Sequence, residues 1–488
     1  AIGYEAGSDY TTGDSGAGRS VFIGYQAGKA VTTGFDQVAI GSGAGSVNGV
    51  GTNRGLIAIG RSAGNRKTSG DQCVLIGTDA GSYLTTAANS IFIGGFAGSN
   101  DGHDTEGNNL GIGTDAIGGA VNGCEYNVAI GNYTLDALTS GDNNVAVGYN
   151  AGSALSTGLG NTILGTQAVG AGVLTGSNNV VIGKLAGEDM TSADANVIIG
   201  EDAGKNQTTA NNNILIGQGA GEAITTGGDN IFVGTGAGDG HDAETHNLGI
   251  GKGSLGASIN GGEYNVAIGN LTLDALSSAD GNTVLGYNAG SGITTGGSNT
   301  LIGHQAGQDT VALTTGTNNV VIGKNSRTSA NDSTNAIVIG VDIAAGSNDF
   351  SFGKSGNVVT NDFDADADWS RSSDVRLKRN IESTTLGLDF INDLRPVKFQ
   401  WKPSNEVPEI MTSEYNEENK KNLDYISHGF IAQEVKEAID KHGDQTFGGW
   451  HIDETDNETQ RVKKNMFVMP LIKAVQELSA QVTTLQQE

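Results

Sequence analysis

A short β-branched run closed by glycine recurs along most of the chain, as Ile-Gly, Val-Gly or Leu-Gly with glycines at 3, 24, 41, 60, 77, 94, 113, 131, 148, 165, 183, 200, 217, 234, 251, 269, 286, 303, 323 and 340. Twelve of the nineteen intervals are 17 residues, and a regular period of this length marks a stacked-repeat architecture. Most copies approximate N-x-x-[IVL]-G-x-x-[AS]-G, as in Asn144-Val-Ala-Val-Gly148-Tyr-Asn-Ala-Gly152. A run of three or four β-branched residues is too short to stand as a strand alone. Stacked on its neighbours about 4.8 Å apart, it can satisfy its backbone. The repeat predicts an all-β chain, a parallel β-roll or β-helix whose coils each give two short strands and two turns. Its apolar positions are expected to stack inward, with Gly and Ala allowing tight bends. Twenty coils would make a rod on the order of 95 Å long.

A second repetition lies above the first. Glycines 113, 131, 148 and 165 recur at 251, 269, 286 and 303, each 138 residues later, so a block of eight coils is duplicated. Duplication lengthens a fibre without new chemistry. Cys124 corresponds to Gly262, so the fold does not depend on that thiol.

Composition narrows the function. Gly supplies 78 of 488 residues while aromatics make up 6 %, which is thin for a globular enzyme of this size. No apolar run approaches the ~20 residues of a membrane span, so no membrane insertion is expected. A net charge of −27 repels phosphate backbones and anionic lipid, which disfavours a nucleic-acid partner. Two cysteines, Cys73 and Cys124, make neither a disulfide framework nor a zinc site, and both read as small core residues. No cofactor or metal is expected. Gly251-Lys-Gly-Ser-Leu-Gly256 matches a nucleotide-binding pattern in letters only, since it is one coil of the repeat. Asp101-Gly-His-Asp104 and its copy Asp239-Gly-His-Asp242 read as solvated loops, because two carboxylates and an imidazole do not cage a cation.

The repeats resemble the head repeats of trimeric bacterial adhesins, the family of the Yersinia adhesin head, and the β-roll shafts of phage fibres. The resemblance covers about residues 1–345 and implies a left-handed homotrimeric roll. The period by itself fixes neither handedness nor trimerisation. A narrow roll with few aromatics nevertheless has a small private core, which favours an oligomer.

Beyond Gly340 the composition changes. Residues 341–488 hold 8 of the 78 Gly, all four Pro, all three Trp and 16 of the 27 Lys and Arg. Residues 346–371 form an acidic junction, with Asn361-Asp-Phe-Asp-Ala-Asp-Ala-Asp-Trp369 reading as a solvated linker or edge strand. Residues 372–488 read as a small α+β, mainly helical domain. At its end Val468, Leu471, Val475, Leu478, Val482 and Leu485 follow heptad spacing, which predicts a short coiled coil over about 468–486 or an amphipathic helix packed on its own domain.

Four segments in order, Ser372-Ser-Asp-Val-Arg-Leu-Lys-Arg-Asn-Ile381, Leu394-Arg-Pro-Val-Lys-Phe-Gln-Trp401, His428-Gly-Phe-Ile-Ala-Gln-Glu-Val435 and the heptad tail, closely resemble the intramolecular chaperone of phage tailspikes and fibres. This is the self-cleaving endosialidase-type family, peptidase S74. The resemblance implies a trimerising chaperone that templates the β-structure before it and then cuts itself off with a Ser/Lys dyad. It implies Ser373 as nucleophile, Lys378 as general base and Ser372–Ser373 as the scissile bond. The chemistry is coherent, because a Ser hydroxyl needs a base, and a Lys serves only when desolvation or nearby cations favour its neutral form. Arg376 and Arg379 flank Lys378. Asp374, Arg376 and Asn380 are candidates for positioning. His428 either polarises the dyad or caps its strand, and Gln433 and Glu434 belong to the site or to a trimer contact. Read alone, the first segment is also a helix start with Ser373 as N-cap.

The expected protein is a trimeric tail fibre of a phage or phage-like injection machine, assembled in the host cytoplasm and carried on the virion tail. Self-cleavage in cis is its expected chemistry, with no external substrate. Its expected partners are two further copies, other tail or baseplate proteins through a region upstream of Ala1, and a bacterial surface glycan or protein receptor. The alternatives are a bacterial trimeric surface adhesin, or a polysaccharide-degrading tailspike, which would need carboxylates about 5–9 Å apart in a groove.

Overall fold

A computed structural model describes residues 1–10, 19–32, 34–46, 54–99, 107–119, 123–258, 260–364, 366–370, 374–411, 414–419, 423–453 and 458–486. The chain divides into two compact units, Ala1–Arg371 and Ser372–Glu488.

The first unit is a parallel β-solenoid. Eighteen three-residue strands, from Val21–Ile23 to Val320–Ile322, pair in register with the equivalent strand of the next coil, and Ile337–Val341 continues the sheet. Each strand ends at the residue before a repeat glycine. Apolar stacking differs from the sequence expectation in one respect. In Ile214–Ile216 only the central Leu215 is buried, and the same pattern holds along the sheet. Side chains alternate faces along a strand, so a three-residue run sends one side chain inward and two outward. The interior is therefore a column of single residues such as Ala146, Ile163, Val181, Ile198, Leu215 and Phe232.

The expectation of two strands per coil is also corrected. Most coils give one strand, and among the described residues further pairing outside the main sheet is limited to Arg327–Thr328 against Ala344–Ala345 and isolated bridges of Leu155 with Leu174 and Phe35 with Arg54. Elsewhere the opposite side is built of turns containing left-handed residues, such as Asp202 (φ 57°) and Asn212 (φ 60°), which extended strands exclude. Hydrogen bonding between coils persists there without β geometry, as in Gly187 N–H to the Ala203 carbonyl at 3.0 Å and Thr191 N–H to that of Thr208 at 2.9 Å.

Two residues of the motif explain its spelling. The repeat glycine adopts φ near +135°, and a Cβ on Gly217 would lie 2.5 Å from the Gly234 carbonyl oxygen of the next coil. No side chain fits that approach. The asparagine four residues earlier is buried and forms a continuous ladder. From Asn109 to Asn319, each side-chain oxygen accepts the backbone N–H at the equivalent position of the next coil at 2.8–3.0 Å. Each Nδ2 donates to a carbonyl across the coil, as Asn127 does to Gly141 at 2.9 Å and Asn144 to Gly158 at 2.9 Å. The ladder satisfies backbone groups that short strands leave over in a dry interior.

A second buried column lies seven residues after the glycine. It holds Val31, Leu84, Leu138, Leu155, Met190, Ile224, Leu276 and Ile293, interrupted by the polar residues Lys67, Gln207 and His241. Burial of His241 corrects the reading of Asp239–Asp242 as a solvated loop. Its ring packs 4.7 Å from the Phe232 ring, neither nitrogen has a hydrogen-bond partner, and burial lowers its pKa to about 4. The flanking Asp239 and Asp242 are exposed. The first copy, Asp101–Asp104, lies outside the described residues. Cys73 and Cys124 are both buried, and neither is in a disulfide.

The acidic junction continues the sheet. Asp349–Lys354 pairs in parallel with Ile337–Val341, then antiparallel with Asn357–Asp362, which pairs antiparallel with Asp366–Ser370.

Candidate functional site

The second unit contains helices α1 (Leu388–Asp393), α2 (Ala432–His442) and α3 (Val468–Leu485). Two antiparallel strand pairs accompany them, Val397–Phe399 with Ser427–Gly429 and Trp450–Ile452 with Gln460–Val462. Its core joins Leu386 and Phe390 to Val435, Ala438 and Ile439 of α2 and to Phe467. Phe390 and Phe467 lie parallel at 6.2 Å, with Phe447 edge-on to both.

Helix ends fix these elements. α2 stops at Gly443 in the left-handed conformation (φ 73°), whose N–H reaches the Ile439 and Asp440 carbonyls. α1 has Gly387 as N-cap, so it lacks a cap side chain of its own. Glu477 of α3 supplies one, accepting the Leu388 N–H at 2.7 Å, and this bond holds its carboxyl below the usual range. Asp393 at the other end of α1 accepts from Lys441 at 2.8 Å and His442 at 2.6 Å, and those partners depress its carboxyl too.

Ser372 and Ser373, the expected scissile bond and nucleophile, lie outside the described residues. Directly after them, Asp374 caps a single 3-10 turn, Val375–Leu377, by accepting the Arg376 N–H at 2.8 Å. The cap of this turn is thus Asp374 rather than Ser373. The Arg376 guanidinium bonds the same carboxylate at 3.0 and 3.1 Å and holds it well below the usual carboxylate range. Part of the positive field beside Lys378 is therefore balanced locally. Lys378 closes the turn through its N–H to the Val375 carbonyl at 3.1 Å, and Asn380 follows in a left-handed conformation (φ 51°). Lys378, Asn380 and the apolar Val375, Leu377 and Ile381 are all exposed in the single chain.

The other candidates stand on the pairing of Val397–Phe399 with Ser427–Gly429 and on α2. His428 is exposed and pairs across the ladder with Lys398, while its carbonyl accepts from Lys464. Gln433 is exposed, and Glu434 is ion-paired with Arg395, whose Nε lies 3.0 Å away. Of the expected site, Asp374 and Arg376 are joined directly. Sequence reasoning did not anticipate a cleft of about 1060 Å³ that Gln433 lines together with Phe399, Trp401, Met411, Phe430 and Arg461. Its walls come from five separate stretches of the chain, so no local motif signals it.

α3 leaves its heptad row open. Val468, Leu471, Val475, Leu478, Val482 and Leu485 are exposed, Val475 by 58 %, whereas the helix packs on its own unit through Pro470 and Ala474. Packing of the apolar row on its own domain is therefore not what this helix does. Among the described residues no helix is long and apolar enough to cross a membrane, and no group of His, Cys, Asp and Glu could hold a metal ion.

No curated protein and no solved structure matches the chain. Residues 373–444 match the family described as the chaperone of endosialidase, peptidase S74. The C-terminal unit therefore carries a chaperone-of-endosialidase domain, and this domain behind a parallel β-solenoid fits a fibre- or tailspike-like protein with a C-terminal chaperone.

Proposed function

We propose that the chain is one protomer of a homotrimeric tail fibre of a phage or phage-like injection machine, whose chaperone drives trimerisation and then cleaves itself off. The observation that carries this reading is the exposed apolar row of α3. Six large apolar side chains at heptad spacing are costly in water and pack well in a parallel bundle. The solenoid adds a second surface only partly covered by its own chain, since each strand turns two residues outward, most of them β-branched, as the half-buried Ile214 and Ile216 flank Leu215. A threefold assembly covers both.

In the cleavage reaction Lys378 takes the Ser373 hydroxyl proton and the oxygen attacks the Ser372 carbonyl carbon. The peptide C–N bond breaks as its nitrogen is protonated, leaving an ester that water hydrolyses. The products are a shaft ending in Ser372 and a released piece of 116 residues. Assembly in the host cytoplasm, carriage on the virion tail with other tail or baseplate proteins, and attachment to a bacterial surface glycan or protein complete the reading.

The test is the intact mass of freshly expressed, denatured protein beside Ser373→Ala and Lys378→Ala. Cleavage at Ser372–Ser373 that disappears in both variants supports the dyad. A single uncut 49.7 kDa species in wild type, from a folded trimer, makes the domain a retained cap and overturns the serine reading.

A further inference from the structure

The coil between Gly60 and Gly77 departs from the repeat twice, and the two departures meet at one carbonyl. At the position of the asparagine ladder stands Cys73, and in the second core column, where seven other coils place a buried Val, Leu or Ile, stands Lys67. Both side chains are 0 % exposed. They converge on the Ala87 carbonyl, which the Lys67 amine contacts directly and the Cys73 sulfur meets at 3.5 Å. Lys67 also donates to the Ser69 carbonyl at 2.7 Å.

The amine has an evident structural role. The carbonyl fourteen residues on is the one an asparagine Nδ2 reaches in other coils, as Asn196 reaches Ala210 at 3.0 Å. Gln207, in the same column as Lys67, also donates to Ala210, at 2.8 Å. Lys67 replaces the missing amide donor. That role needs a donor of the right reach, which Gln provides, and not an amine against a thiol.

We infer that Lys67 and Cys73 form a redox-modification site in which a hydroperoxide drives a covalent nitrogen–sulfur cross-link between the two side chains. Peroxide first oxidises the thiol to a sulfenic acid, its O–O bond breaking and one water leaving. The Lys67 nitrogen lone pair then attacks the sulfur, the S–O bond breaks, and the departing hydroxide takes a proton from nitrogen as a second water. In sum, thiol, amine and one hydrogen peroxide give a sulfenamide and two waters. Condensation of sulfenic acids with nitrogen is known chemistry, and an amine is a better nucleophile than the backbone amide that usually serves. Burial lowers the Lys67 pKa, which favours the neutral amine that the step requires.

The test exposes folded full-length protein to hydrogen peroxide, then unfolds it and maps it by non-reducing peptide mass spectrometry. The expected product is a cross-linked Lys67–Cys73 species two hydrogens lighter than the unmodified peptide, returned to thiol and amine by dithiothreitol. Lys67→Gln retains a donor of the kind Gln207 provides but no amine, and should give a dimedone-reactive sulfenic acid or higher acids in place of the cross-link. A wild-type Cys73 that stays a thiol, or goes only to sulfinic and sulfonic acid, overturns the proposal and leaves Lys67 as a structural donor. A cross-link 14 Da heavier places an oxygen between the atoms and overturns the nitrogen–sulfur assignment. If Lys67→Gln does not fold, the wild-type masses decide alone.

Discussion

The side-chain oxygen of Asn127 accepts both the backbone N–H of Asn144, at 2.9 Å, and its Nδ2, at 3.1 Å. Repeated from coil to coil, this one relationship links coils of different length, because a ladder spacing of 17, 18 or, between Asn299 and Asn319, 20 residues is absorbed in the turns. Replacing Asn144 with Ala strands the Asn161 N–H and the Gly158 carbonyl, both of which it serves at 2.9 Å. Each buried orphan costs about 1–3 kcal/mol, so a local loss of about 2–6 kcal/mol is expected. Hydrogen exchange should show it as lost protection confined to the neighbouring coils, since solenoid repeats contact only their neighbours. Unchanged protection there would contradict the ladder's role.

The glycine stack should tolerate even less. Gly217→Ala places a methyl 2.5 Å from the Gly234 oxygen at φ +136°, which backbone relaxation relieves only by separating two coils. A loss above ~3 kcal/mol is expected. Protease nicking near residues 217–234, compared with wild type at equal concentration, reads the separation.

Acid should loosen one coil selectively. His241 has its pKa lowered by burial from 6.5 to about 4, so the folded coil keeps it neutral while the unfolded chain takes a proton below pH 6.5. Its contribution is intact above pH 6.5 and is lost as pH falls toward 4, amounting to roughly 3 kcal/mol. The neighbouring Glu244 opposes this by favouring the charged ring. His241→Leu, matching Leu276 in the same column, should remove that pH dependence. Exchange at residues 234–251 measured at pH 7.5 and pH 5 would reveal the difference, and an equal response in wild type and variant would refute it.

Oligomeric state should follow the α3 row. In a Ser373→Ala background that keeps the helix attached, Val475→Asp with Leu478→Asp should shift the light-scattering mass from three times 49.7 kDa toward a single chain. Both residues are exposed in the protomer, so its own fold should survive. A trimer that persists would place the decisive contacts in the solenoid.

Period and composition determined the repeat, its parallel stacking and the change of character after Gly340, because each coil writes the same backbone requirement in the same letters. The motif named Asn144 and Gly148 without saying why. Only the stacked coils reveal that one feeds a buried ladder and the other meets a carbonyl of the next coil. The facing of the apolar triplets is not written in their hydrophobicity, which reports that Ile214 and Ile216 avoid water but not whether their own coil or another chain covers them. The convergence of Lys67 and Cys73 on one carbonyl, the burial of His241 and the open row of α3 were likewise settled only in three dimensions. Burial and contact depend on what neighbouring coils and segments bring, and a sequence lists those neighbours without placing them.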